Sequence, residues 1–178
     1  MLVRCTTKLL KAIGAEPASL VETPTSDRDW YANLVWITGR QCLLLTHAGT
    51  LFSVFVPDIS VSDLRPFGGF VVPAVSSAVQ SEGLPATTFG LLDTEDVAVA
   101  KTASRSVLGC MNDLTTHCHY AVEDADGLEL LNVEQLNRRL RRTILGPLGS
   151  IYPIEAARDY RRPMTNSHRG PKVVTGDP

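Results

Sequence analysis

Apolar and polar residues alternate over residues 2–6, Leu-Val-Arg-Cys-Thr, the pattern of a short strand. Thr7-Lys-Leu-Leu-Lys-Ala-Ile predicts a short helix capped by Thr6 or Thr7 and stopped at Gly14. Residues 15–29 hold Pro17, Pro24 and several Ser, Thr and Asp, and read as a loop with one turn of helix. Trp30 to Ile37 is aromatic and β-rich, Thr38-Gly39-Arg40-Gln41 is a turn, and Cys42 to Thr46 is a second apolar run. Together they predict an antiparallel hairpin. Gly49 marks a turn before a third strand, Thr50 to Val56, and the N-terminal strand makes a fourth.

Ser62 or Asp63 can cap a helix towards Gln80, whose most helical part is Ala74 to Ser81, before Gly83; Pro66, Gly68, Gly69 and Pro73 weaken its start. Asp96 to Lys101 alternates as a strand. Ser104 caps a long helix over about 105–123 whose apolar stripe is Val107, Met111, Leu114, Cys118 and Ala121. Gly109 inside it implies close approach of another element, the hairpin. Val133 to Thr143 is a second helix, with Leu136 and Leu140 on one face. Gly146, Pro147 and Gly149 end it, and Pro153 opens a last short helix, Ile154 to Arg161. The resulting fold class is α+β: an antiparallel sheet of about four or five strands with helices packed mainly on one face. The domain spans 1–162, and 163–178 is a disordered polar tail.

With 178 residues, 44% of them hydrophobic, the chain can bury a core, and no apolar run approaches the roughly 18 residues that span a bilayer. The apolar runs near Met1 are too short for a signal peptide, so the expected location is cytoplasmic, with no membrane partner. Cys5, Cys42, Cys110 and Cys118 form no C-x-x-C pair and are expected as buried free thiols.

Charge changes the picture more than composition does. Residues 1–135 hold 8 Lys/Arg against 16 Asp/Glu, a net of −8. Residues 136–178 hold 9 against 3, a net of +6. Arg138, Arg139, Arg141 and Arg142 fall within five residues, with 138 and 142 on one helix face. They form either a basic patch for an acidic partner or a helix face paired with Glu134, Glu129 or the 123–126 acidic stretch. Ser104 and Arg105 open the long helix, where free N–H groups and the dipole favour a phosphate or carboxylate. Asn112 projects from the next turn. Asp113 and His117, at i,i+4, are half of a general-base arrangement, with no nucleophile fixed by spacing. Cys110, His117, Cys118 and His119 invite a metal reading, helped by Cys42 and His47. Neighbours on a helix diverge by about 100°, so no metal is expected. Trp30, Tyr31 and Trp36 could stack bases, but strand aromatics are expected in the core. No nucleotide-binding signature occurs, and no cofactor is expected.

Several stretches carry a family resemblance: Arg4-Cys-Thr-x-Lys-Leu-Leu, Trp30-Tyr-Ala-Asn-Leu-x-Trp, Arg40-x-Cys-Leu-Leu-x-Thr, Thr50-Leu-Phe-Ser-x-Phe-Val-Pro-Asp, Arg105-Ser-Val-Leu-Gly-x-Met-Asn-Asp-Leu, and Asn137-Arg-x-Leu with Tyr152-Pro-Ile-Glu. In these the chain resembles, over roughly 2–160, a family of small bacterial proteins classed as a domain of unknown function. It is more loosely similar to the N-terminal part of plasmid-borne open-reading-frame proteins. The resemblance implies a mobile-element, toxin–antitoxin or defence setting and no activity. The residues themselves point to a non-catalytic binding module that contacts a nucleic-acid backbone or an acidic protein partner through Arg138, Arg139, Arg141, Arg142 and the Ser104–Arg105 corner. Two alternatives stand beside it. One is a small hydrolase or nuclease using Asp113 and His117, with Arg105 holding an anion. The other is a homo-oligomeric structural subunit.

Overall fold

A computed structural model describes residues 1–160. The elements are β1 (Leu2–Cys5), α1 (Thr7–Ile13), β2 (Trp30–Ile37), β3 (Arg40–His47), β4 (Ser53–Val56), α2 (Phe67–Ser81), β5 (Ala98–Lys101), α3 (Arg105–Asp124), α4 (Val133–Leu140) and α5 (Pro153–Asp159). Single 3₁₀ turns lie at Pro17–Ser19 and Gly146–Leu148. The fold is α+β. The expected tail, and the boundary before it, lie outside the described residues.

The hairpin forms as its pattern predicts: Thr38 and Gly39, both at positive φ, make a two-residue turn whose twist suits flanking strands. β4 is shorter than expected, because Leu51 takes a left-handed φ of 52° and the chain turns back on His47 before pairing resumes. α1 ends at Gly14 with φ 67°. α2 starts only at Phe67, since Ser60–Arg65 is taken up in turns closed by the Asp63 carboxylate. α4 stops at Leu140 rather than Thr143. The Arg142 and Thr143 amides bond back to Arg139 and Leu140, and the Arg141 carbonyl is taken by Ile154.

Two features of the predicted architecture are corrected. The sheet has order β4-β3-β2-β1-β5 and is mixed rather than antiparallel: β1 runs parallel to both β2 and β5. Helices also cover both faces, not mainly one. Val3, Trp30, Ala32, Leu43 and Val54 face a core closed by α1, α2 and α5. Tyr31, Val35, Cys42, Leu44 and Phe55 face a second core closed by α3 and α4. Alternate residues of β2 and β3 therefore enter opposite cores, and both sides of the central strands are apolar.

Polar groups inside this frame are paired. Arg4, on β1, is buried against Asp29 (Nε to Oδ2, 2.6 Å) and also donates to the carbonyls of Thr23, Pro24 and Lys101, so one guanidinium ties the 23–29 loop to the parallel strands. The free border of β4 is closed by a side chain: the Asn137 amide on α4 accepts from the Phe55 N–H at 2.7 Å and donates to the Phe55 carbonyl at 2.9 Å. His47 is buried among Trp30, Phe89 and Tyr160, with Nδ1 3.1 Å from the Thr50 hydroxyl.

Gly109 does not mark the close approach expected of it; a Cβ there would meet no atom within 4 Å. Gly109→Ala is expected to raise unfolding stability by about 1 kcal/mol in a denaturant titration, the helix-propensity difference. Gly68→Ala is expected to lower it, because its Cβ would overlap the Thr94 carbonyl oxygen.

Burial pushes the His47 imidazole down to about 3. The unfolded chain, with an ordinary histidine, binds the extra proton first, so stability present above about pH 6.5 drains away as pH falls towards 3. His47→Gln should flatten that limb by up to about 1.4 kcal/mol per pH unit in equilibrium denaturation.

Candidate functional site

The arginine cluster splits when folded. Arg141 is 1% exposed: Nε donates to the Asn137 carbonyl (2.9 Å) and lies 3.2 Å from Glu82 Oε1, Nη1 donates to the Ala78 carbonyl (3.2 Å), and the guanidinium carbon sits 4.9 Å from the Phe52 ring centroid. Arg142 grips Glu82 with both Nη atoms, at 2.9 and 2.7 Å. Arg138 pairs with Glu134 one turn earlier at 2.7 Å. Only Arg139 of the four makes no ion pair among the described residues. It lines a 260 Å³ hollow with Asp124, Asn132 and Gln135.

Of the two readings of this helix, the contacts fit the paired face: Arg138 meets Glu134, one of the carboxylates expected for it, and Arg141 and Arg142 meet Glu82, which was not expected. Arg141 is buried away from any partner, Arg142 is held by the buried Glu82 carboxylate, and Arg138 shares an exposed pair with Glu134. Burial alone would raise the Glu82 carboxyl, but the Arg142 hydrogen bonds and the charges of Arg141, Arg142 and Arg138 hold it below the usual range. Burial lowers Arg141 to about 10, and the Glu82 bond raises Arg142.

The Ser104–Arg105 corner is largely used internally. Ser104 Oγ accepts from the Val107 N–H (3.3 Å), and the Ser104 N–H donates to the Tyr31 hydroxyl (3.1 Å). The adjoining 220 Å³ hollow includes Asp27, whose charge opposes an anion. Arg105 is exposed and does not line it. Asp113 is exposed and His117 half-buried, and neither a hydrogen bond nor an ion pair joins them. The acid/base couple that the spacing suggests is therefore not assembled. The cysteines are buried free thiols, with burial pushing Cys118 up to about 12. No metal-suited group of three or more His, Cys, Asp or Glu occurs among the described residues.

Asn112 does reach a concave site, together with Trp36 and His119, weighed above for other chemistry, and with residues given no role by the sequence. β2 is eight residues long and β1 four, and their pairing ends at Ala32, with a last bond from the Thr6 N–H to the Ala32 carbonyl. The chain then turns away into α1, the Thr6 hydroxyl donating to Asn33 Oδ1 at 3.1 Å. Beyond that point lies a groove of about 610 Å³. Its floor is Asn33 to Trp36. One wall is Thr6, Thr7 and Lys8. The other is Leu108, Asn112, Thr115 and His119 on α3, spaced 4, 3 and 4, a stripe beside the buried one. Trp36 is not in the core as expected but 54% exposed, whereas Trp30 and Tyr31 are buried. The groove contains no carboxylate, Lys8 supplies positive charge, and His119 adds an imidazole. The strand-length mismatch and the second stripe on α3 were the available pointers to it.

A family model described as Domain of unknown function (DUF6933) matches residues 2–156. The chain belongs to this family. Comparison with curated proteins and with solved structures finds no match. In this DUF6933 chain the match runs from β1 into α5, so it takes in both walls of the groove and the Glu82–Arg141–Arg142 cluster. No helix among the described residues is long and apolar enough to cross a membrane.

Glu82→Gln should destabilise the DUF6933 chain by about 3–5 kcal/mol at neutral pH, because it strands a buried guanidinium. The loss relative to wild type should begin to shrink below about pH 4.5, where Glu82 of the unfolded chain takes up its proton, and continue shrinking until the folded carboxyl, held lower, protonates too. Denaturant titrations across that range check both.

Proposed function

We propose that this protein is a non-catalytic binding module whose partner is an acidic protein segment, received in the groove between α1 and α3. The observation that carries this reading is the groove's make-up: it borders an exposed tryptophan, carries Lys8 and His119, and has no acidic residue on its lining. Tryptophan is among the side chains most enriched where binding energy concentrates. Complementary charge steers encounter and suppresses wrong partners.

One observation favours a protein over a nucleic-acid backbone. Phosphate binding by a basic helix needs several free guanidinium groups, and in α4 one remains. Only Asn112 of the residues first expected to bind lines the groove. The hydrolase alternative has its acid and base apart. A bacterial mobile-element, toxin–antitoxin or defence setting belongs to the proposal and rests only on the likeness to plasmid-borne open-reading-frame proteins.

A peptide array of acidic, neutral and basic sequences, probed with the purified full chain, tests it. Acidic spots should be retained, and Trp36→Ser and Lys8→Ser, both at exposed positions, should each weaken retention about tenfold or more. Equal retention by the variants overturns the reading. So does an unlabelled array alongside DNA binding that weakens steeply with salt.

A further inference from the structure

The groove has a feature that side chains alone do not explain. The Thr6 N–H bonds to the Ala32 carbonyl, so even-numbered residues of β2 aim their backbone groups towards β1, and odd-numbered ones towards β3. Once β1 has turned away, Leu34 and Trp36 aim an N–H and a C=O each into the groove. No backbone or side-chain group among the described residues bonds to them from that side. Leu34 is nevertheless only 5% exposed. The Thr6 carbonyl, which would have continued the ladder, is taken by the Leu10 N–H of α1 at 2.9 Å.

The outer borders of the sheet are treated differently. Asn137 satisfies Phe55 on β4, Pro57 offers no N–H after it, and the Val21 N–H covers the Val99 carbonyl on β5 at 2.8 Å. The open length of β2 is thus a lane inside the sheet, with α1 on one face and α3 on the other. Its shape suits one extended chain continuing the line of β1.

We propose that the acidic partner segment binds by adding to β2 as a short strand in this lane, pairing its backbone with Leu34 and Trp36. This rests on the groove reading above and states the mode of recognition. Main-chain bonds would supply affinity independent of sequence, and side chains on alternate residues would meet the two walls, one bearing Lys8 and the other His119. Carboxylates on one set of alternate residues are the complement of Lys8, and apolar side chains on the other set meet Leu108 on the α3 wall.

The probe is the capped peptide Ac-Glu-Val-Glu-Val-Glu-Val-NH2, with a lysine-for-glutamate control and two versions N-methylated on alternate amides. N-methylation removes donors from one edge of an extended chain and leaves its side chains unchanged. With the full chain, the parent peptide should bind and the lysine control should not. One N-methylated version should bind at least about tenfold more weakly, and the other like the parent. Amide exchange at Leu34 and Trp36 should slow at least about tenfold on saturation. If both methylated versions bind like the parent while Trp36→Ser still abolishes binding, strand addition is overturned and the groove reading stands. If Trp36→Ser leaves binding unchanged, the groove reading falls with it. No binding of the parent peptide up to about 1 mM overturns the proposed mode.

Discussion

A carboxylate at the carboxyl end of a helix meets the negative pole of the helix dipole, and burying it removes the water that would offset this. Glu82 does both at the end of α2, with its side chain 3% exposed. It is tolerable there because Arg141 and Arg142 arrive from α4 with paired charge and hydrogen bonds. That pairing fixes where α4 lies. Once α4 is placed, Asn137 reaches Phe55, Leu136 and Leu140 enter the α3 core, and the Arg141 guanidinium covers Phe52 in the other core. The helix with the highest positive charge density is thus a structural strap between the two sides of the sheet. Of its arginines, Arg141 turns inwards, while Arg138, Arg139 and Arg142 stay at the surface.

The elements whose cause is local were legible in the sequence. The 4, 3, 4, 3 stripe of α3, its serine cap, the hairpin and the glycine stop of α1 each depend on neighbours within a few residues, and each formed. The direction of β1 was not legible, because alternation over four residues reads the same in parallel and antiparallel pairing. Helices on both faces were signalled by the unbroken apolar run Leu43-Leu44-Leu45 and by Trp30–Val35, which leave no polar face on the central strands. The site was harder to see for a related reason. The carboxylate that neutralises Arg141 and Arg142 lies about sixty residues away, across a fold that spacing cannot supply. Spacing therefore offers Arg138 its partner Glu134 but not Arg141 and Arg142 theirs. Asn112 was singled out for its place near a presumed acid/base pair, and it lies instead on a groove wall built partly by α1.

The groove and the strap are related by how the sheet deals with its backbone. Every strand border must be paired, covered or left to water. β1 is too short to cover β2, and the early departure into α1 is stabilised by Leu9 and Leu10 in the core and by the Thr6–Asn33 bond. Packing on one face thus leaves a gap in the ladder between two helices, where an isolated stretch of main chain is reachable but narrow.

The Asn137 amide has a consequence of another kind. A bare β4 would offer its rim as a template for pairing with another chain. One carboxamide, presented by a helix that two arginines hold down, imitates the missing neighbour for a single residue and occupies the groups such pairing would use. Protection of this border therefore lies partly in a side chain, and the placement of that side chain depends on the electrostatic clamp beneath its helix.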